Sequence, residues 1–261
     1  MLSMVRAELF RIVRSRFFLV YVVVIILFSF LTPFALWLHQ VWPAFASLGF
    51  VEVPAEPLPA LRVYGVSLVA GSFIAMGVGV AMGEFAAGDF KSGFVKNLVQ
   101  VRGGRTSYAL ALAVCALVLA AVSVAVGVLV IDTTLRLQGY AAVPPSFDEM
   151  LQWFAQVTLC VAAYAAIVVF LSVATGSETI AVLGAVFLGG GAIESVLQLV
   201  LANIPGIPAV LRDCLDGYLA ADIGLLGQGI ICDPMTYVQA GATILVACAA
   251  CVLVMRRRSL A

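Results

Sequence analysis

The chain has 261 residues, of which 64% are apolar and only 11% charged, with a mean hydropathy of +1.15. A soluble domain of this size is roughly half apolar and about a quarter charged, so a water-soluble globule is excluded and an integral membrane protein is expected. Fourteen basic and fourteen acidic residues cancel to a formal charge of zero, so any information in the charge lies in its distribution.

Residues 1–16 come first. Leu2, Val5, Leu9, Ile12 and Val13 share one helical arc, with Arg11 and Arg14 opposite and Arg6 intruding on the apolar side. That pattern fits a helix lying in the cytoplasmic interface, and a basic leader that only sets orientation is the alternative. Apolar runs follow at residues 17–37, 63–82, 108–131, 154–174, 179–201 and 236–255. Each has the roughly 20 residues needed to cross about 30 Å of hydrocarbon as a helix. Ala44-Phe45-Ala46 resembles a signal-peptidase site, but the 21-residue run before it is longer than a signal core, so it is expected to remain as the first span.

Six spans place both termini on one side, and the basic residues name that side as cytoplasmic. Eleven of the fourteen bases lie there against four acids, for a net +7. The opposite face carries nine acids against Arg62, Arg136 and Arg212, for −6, and Glu194 within the fifth run closes the sum. Trp37, Trp42, Tyr140, Trp153 and Tyr237 fall at the expected outer ends of spans, at headgroup level.

Between the second and third spans, residues 84–107 form the one sizeable cytoplasmic connection. Phe90, Phe94, Leu98 and Val101 recur at three and four residues, Asp89 can cap the N-terminus and Gly103-Gly104 can end the helix. Lys91, Lys96, Arg102 and Arg105 surround that stripe, which predicts a short amphipathic helix. The outer connection, 202–235, mixes Pro205, Pro208 and Pro234 with an apolar piece at 218–226. It predicts short or re-entrant helices packed on protein, because irregular backbone cannot face lipid. Ala75, Gly79 and Gly83, and again Ala181, Ala185 and Gly189, recur at every fourth position. Such stripes let membrane helices approach closely, within one bundle or across a dimer.

Residues able to do chemistry are few. Cys115, Cys160, Cys248 and Cys251 lie within spans, where cysteine is a small apolar filler. Cys248 and Cys251 form a C-x-x-C with no His or further Cys near, which argues against a metal. Cys214 and Cys232 share the outer loop, where disulfides are permitted, and are a candidate pair. A single histidine, His39, excludes multi-histidine metal sites, and no phosphate loop is present. Glu194 is the one acid inside a span, following Gly189-Gly190-Gly191. It lines a route through the bundle, or the glycines break the helix and leave it near the outer interface.

One stretch carries a family resemblance. Gly83-Glu84-Phe85-Ala86-Ala87-Gly88-Asp89-Phe90-Lys91-Ser92-Gly93-Phe94-Val95-Lys96-Asn97-Leu98, then Gly103-Gly104-Arg105-Thr106-Ser107-Tyr108, resembles the permease subunit of bacterial type-2, exporter-like ATP-binding-cassette transporters. In that family a Glu ends the second span, a basic segment with glycine follows, and Arg-x-x-Tyr leads into the third. The six-span, N-in and C-in architecture with an interfacial first helix is similar over the whole chain. The resemblance implies an all-α permease in the bacterial cell membrane that forms the translocation path, with a second permease chain as homodimer or heterodimer partner. It also implies a separate ATPase subunit that holds ATP and Mg, leaving this chain neither an enzyme nor a direct cofactor binder, and without nucleic acid as a partner. Contacts to the ATPase would come from Glu84, Asp89, Phe90, Lys91, Phe94, Lys96, Arg102 and Arg105, Glu194 would be a path candidate, and 202–235 an outer gate. Two other classes compete: a membrane anchor or sensor that recruits a cytoplasmic partner without transport, and an intramembrane enzyme. The poverty of His and of clustered intramembrane acids weighs against the enzyme.

Overall fold

The computed structural model describes residues 2–42, 58–95, 104–140, 142–192, 196, 199–200 and 218–257. Among these the chain is an all-α membrane protein. Its helices are α1 (Leu2–Arg14), α2 (Arg16–Val41), α3 (Ala60–Leu68), α4 (Phe73–Lys91), α5 (Gly104–Leu137), α6 (Phe147–Thr175), α7 (Glu178–Gly189), α8 (Leu219–Gly227) and α9 (Met235–Arg257). Two-residue strands β1 (Leu58–Pro59) and β2 (Ala142–Val143) pair in parallel. Helices α2, α4, α5, α6 and α9 are each long and apolar enough to cross a membrane.

Local chemistry sets the helix ends. Ser15 breaks α1 from α2 and accepts a bond from Phe18 N at 3.1 Å. Ser146 opens α6 with a reciprocal capping box to Glu149, and Gly176 closes it in the left-handed conformation at φ 69°. Ser177 then starts α7, so two residues suffice to reverse the chain.

Helix α6 is the most buried of the five membrane-length helices, and α2 and α9 are the least. Lipid tails are as apolar as these side chains, so close packing and buried hydrogen bonds hold such a bundle more than the hydrophobic effect does. Both kinds of contact are visible. Ser172 of α6 donates to the Gly83 carbonyl of α4 at 2.5 Å, and Tyr21 of α2 shares a 2.6 Å bond with Ser123 of α5. The two small-residue stripes meet each other inside this chain: a Cβ on Gly79 would stand 3.1 Å from that of Ala185, and one on Gly83 would stand 3.0 Å from that of Ala181. Sequence left a bundle contact and a dimer contact open for these stripes, and the structure uses both in the α4–α7 contact.

The bundle has two ends of unlike charge. One gathers α1, the close of α4, the start of α5, the α6–α7 turn and the close of α9, and its described residues carry eight bases against four acids. The other gathers the close of α2 and α5, the start of α6 and α9, and α3 and α8, with two bases against five acids.

Two expected spans are not single helices. The run at 63–82 is divided: α3 ends at Leu68, Ser72 turns the chain at φ 52°, and α4 restarts at Phe73 and continues nine residues beyond Met82. The run at 179–201 stops at Gly189, where Gly190 and the left-handed Gly191 (φ 71°) interrupt it. Hydropathy is blind to such breaks because glycine and serine are nearly neutral in a transfer window, and at Gly191 the glycine also admits the positive φ.

The outer-connection expectation of short helices is met by α8, which lies against α3. Helix α6 holds this layer with two buried polar side chains one turn apart. Trp153 Nε1 donates to Leu226 O at 3.0 Å, and Gln156 forms a reciprocal pair with Cys232, donating to its O at 2.7 Å and accepting from its N at 3.0 Å.

Candidate functional site

The densest polar arrangement lies at the basic end, where α1 crosses the close of α4 and the start of α5. Arg11 of α1 is its hub. Its Nη1 donates to Glu8 Oε2 at 2.7 Å and to Asp89 Oδ2 at 3.3 Å, and its Nη2 donates to Asp89 Oδ1. Tyr108 Oη donates to the same Asp89 Oδ2 at 2.9 Å. The guanidinium lies over Phe94, 3.8 Å from the ring centre, and beside Phe85 at 5.0 Å. Glu8 and Asp89 are almost fully buried, with 1% and 2% of their surface exposed. A buried carboxylate is tolerated only when paired and hydrogen-bonded, and the bidentate fork of arginine suits Asp89.

Among the described residues one cation faces two carboxylates, an excess of negative charge. Burial pushes the Glu8 carboxyl up to about 7, against the opposing pull of Arg11 and with the aid of the Asp89 charge. Burial would lower Arg11, but its hydrogen bond to Asp89, together with the Asp89 and Glu8 charges, outweighs this and raises it. Near neutral pH the site can therefore hold or release one proton at Glu8 while the Arg11–Asp89–Tyr108 set stays intact.

This arrangement corrects the sequence expectation for Asp89. It is not the cap of a separate helix: α4 runs through it to Lys91, and the turn comes at Ser92 and Gly93 (φ 73°). Nor is it a surface group. Its counter-charge from α1 lets it remain helical and buried, where it anchors the segment that follows. Gly104, expected to stop a helix, opens α5 instead. Arg11 is also turned inward, whereas the periodicity placed it on the solvent arc, and Val13 of the apolar arc is exposed.

The other candidate residues are dispersed around this anchor. Lys91 is exposed and pairs with Glu178 at 3.1 Å, joining α4 to α7. Glu84 and Phe90 are half-buried on α4, and Phe94 is half-buried under Arg11. Arg105 donates to the Arg256 carbonyl at 3.0 Å, tying α5 to α9. Lys96, Arg102, Glu194 and Cys214 lie outside the described residues. Cys232 is a buried thiol 3.5 Å from the Asp222 carbonyl, and burial pushes it up to about 11. Sequence reasoning missed Glu8 as a site residue. The signal available was the Glu8/Arg11 pair at i, i+3 on a helix flanked by an acid-bearing basic segment.

Toward the acidic end the two interrupted helices border one cavity of about 320 Å3. Ser72 stands at the α3–α4 break, Gly190 and Gly191 at the close of α7, Ala221 and Gly224 on α8, and Tyr164 of α6 forms the wall. Non-helical backbone within a membrane is stable only when buried in protein or lining a cavity. Nearly all of the lining is backbone and small side chains, so the place offers shape and peptide groups rather than formal charge.

Compared with protein-family models and with curated protein sequences, this chain matches none.

Proposed function

We propose that this chain is the membrane-spanning permease subunit of an ATP-binding-cassette exporter, driven by a separate ATPase subunit and paired with a second permease chain in a bacterial cell membrane. The observation that carries the reading is the course of α4. Its N-cap residue, Ser72, borders the cavity between two interrupted helices, and its last turn is locked by Asp89 to α1 and α5 at the basic end. A push on the basic end is thereby delivered to the cavity along one rigid helix about 28 Å long, taking 1.5 Å per residue for its 19 residues.

The segregation of bases to that end supports N-in and C-in topology by the positive-inside rule. Many secondary transporters build their solute sites from interrupted helices, and two interrupted helices border the cavity here. In this reading α7 and the residues after Gly191 complete a sixth crossing, Glu194 lies on the route, and the surface around Lys91, Lys96, Arg102 and Arg105 receives the ATPase. Asp89 and Phe94 shape that surface from beneath. The chain itself contributes no catalytic group, and ATP and Mg are held by the partner.

The test is purification of the full chain from its native membrane, with measurement of MgATP hydrolysis in the eluate and of ATP-dependent solute movement in vesicles. Hydrolysis that co-elutes with the chain and is lost on combined charge reversal of Lys91, Lys96 and Arg102 is expected. An intact chain eluting without hydrolysis refutes the reading. Hydrolysis without any ATP-dependent movement favours a recruiting anchor or sensor.

A further inference from the structure

The first half of α2 and the first half of α4 stand apart and leave an open groove of about 340 Å3 that the transport reading does not use. Val20, Val24 and Phe28 of α2 face Phe73, Gly77 and Val80 of α4 across it, and the stacked rings of Phe28 and Phe73, 4.6 Å between centres, close its upper end. The lining is almost wholly apolar. Its α2 wall covers the 13 residues from Phe17 to Ser29, a length of about 18 Å.

The lower mouth is charged, and with both signs. The helices touch where Gly77 meets Tyr21, a Cβ there standing 3.5 Å from the tyrosine ring. Arg16 lies five residues below Tyr21 and one turn below Val20. Glu84 lies seven residues below Gly77 and one turn below Val80. At 1.5 Å per residue these are about 7.5 and 10.5 Å below the contact, so a cation on α2 and a carboxylate on α4 stand just below the groove lining at nearly one level. Arg16 is exposed and Glu84 half-buried. Among the described residues neither has an ion-pair or side-chain hydrogen-bond partner, whereas the neighbouring Lys91 and Glu178 pair with each other. Arg14, exposed and 5.2 Å from the Phe10 ring centre, adds a second cation beside Arg16.

We infer that this groove binds a zwitterionic aminophospholipid of the surrounding leaflet, with one acyl chain between α2 and α4, its phosphate on Arg16 and its ammonium on Glu84. An anionic lipid would satisfy the arginines but set a second negative charge against Glu84. A choline headgroup has no N–H to donate to the carboxylate. The ethanolamine headgroup answers both groups, and its three N–H donors suit a carboxylate withdrawn from water. An apolar cleft with a few convergent polar groups at one end is the ordinary form of a small-molecule site.

The test is native mass spectrometry of the full chain in detergent containing equal amounts of phosphatidylethanolamine, phosphatidylglycerol and phosphatidylcholine with matched acyl chains. Retention of phosphatidylethanolamine about five-fold above each of the others is expected, the scale of one headgroup–side-chain interaction at a membrane surface. The combined Arg16→Gln and Glu84→Gln variant, which alters no packing, is expected to bring the three lipids to parity. Gly77→Leu, which fills the groove, is expected to lower retention of all three, while Gly241→Leu on α9, where a Cβ meets nothing within 4 Å, leaves it unchanged. Equal retention by the wild type, an excess of phosphatidylglycerol, or a preference that survives the double Gln variant would each overturn the assignment. So would a wild-type dimer without bound lipid that Gly77→Leu converts to monomer, since the groove would then seat a second copy.

Discussion

Replacing Arg11 with methionine removes the only cation of the buried cluster while keeping the length of the side chain. Asp89 would retain one donor, Tyr108 at 2.9 Å, and Glu8 would lose its 2.7 Å bond. Glu8 can take up a proton near neutral pH, so the cost falls mainly on Asp89, which is 2% exposed. Breaking a buried ion pair by deleting one partner costs about 3–5 kcal/mol. The Arg11 side chain is about a third exposed (32%), so the lower end, about 3 kcal/mol, is expected. The assay is unfolding of the detergent-solubilised full chain by increasing mole fraction of sodium dodecyl sulfate, followed by helical circular dichroism. The triple variant Arg11→Met, Glu8→Gln, Asp89→Asn, which removes all the charge together, is expected to recover at least about half of that loss, since no unpaired charge is left buried and only the neutral amides lack partners. A loss below about 0.5 kcal/mol for Arg11→Met, or an undiminished loss in the triple variant, would show that charge pairing does not hold α1 to α4.

The same cluster sets a pH dependence. The Glu8 carboxyl is raised from 4.5 to about 7 in the fold, so the folded state keeps a proton that the unfolded chain has released between those values, and stability falls as pH rises through that window. Glu8→Gln is expected to flatten the slope there, and an unchanged slope would place the titration elsewhere. In the α4–α7 seam, Gly83→Ala puts a methyl 2.7 Å from Val168 Cγ1 and 3.0 Å from Ala181 Cβ and is expected to cost about 1–3 kcal/mol. Gly88→Ala, with nothing within 4 Å, is expected to stabilise by about 0.5–1 kcal/mol, and the same unfolding titration compares the two. At the acidic end, Gln156→Leu leaves the Cys232 N and O without their partners. Labelling of Cys232 by a maleimide, slow in the wild type because the thiol is buried and raised to about 11, is expected to accelerate at least several-fold as this segment opens. Equal rates would mean that the amide pair does not hold it.

Several features were legible from residue order because they depend on local pattern. The exclusion of a soluble fold follows from composition, and α2, α5, α6 and α9 coincide with long apolar runs because each has enough length to satisfy its own backbone within lipid. The separation of basic from acidic loops was legible too, and the structure places those residues at opposite ends of the bundle. The small-residue stripes announced close helix contact, though not which contact. The break at Ser72 was hidden, because a hydropathy window averages over a single turn, whereas a break at Gly189-Gly190-Gly191 was one of the two readings that the sequence left open. Asp89 was misplaced for a related reason: N-cap preference is a local tendency, and the charge that holds Asp89 inside a helix arrives from 78 residues away.

The high apolar fraction, the apolar runs and the placement of charge along the chain thus determined by themselves that the chain lives in a membrane, how many long apolar runs it has, and which connections are basic. Those properties are sums over neighbouring residues, and sums need no fold. Tertiary structure alone decided that Arg11 turns inward to Glu8, Asp89 and Tyr108, that α4 and α7 bury each other's glycines and alanines, and that two interrupted helices share one cavity. Each is a meeting of residues distant in sequence, whose energy depends on ångström separations and on exclusion of water, and neither quantity is written in the order of the residues.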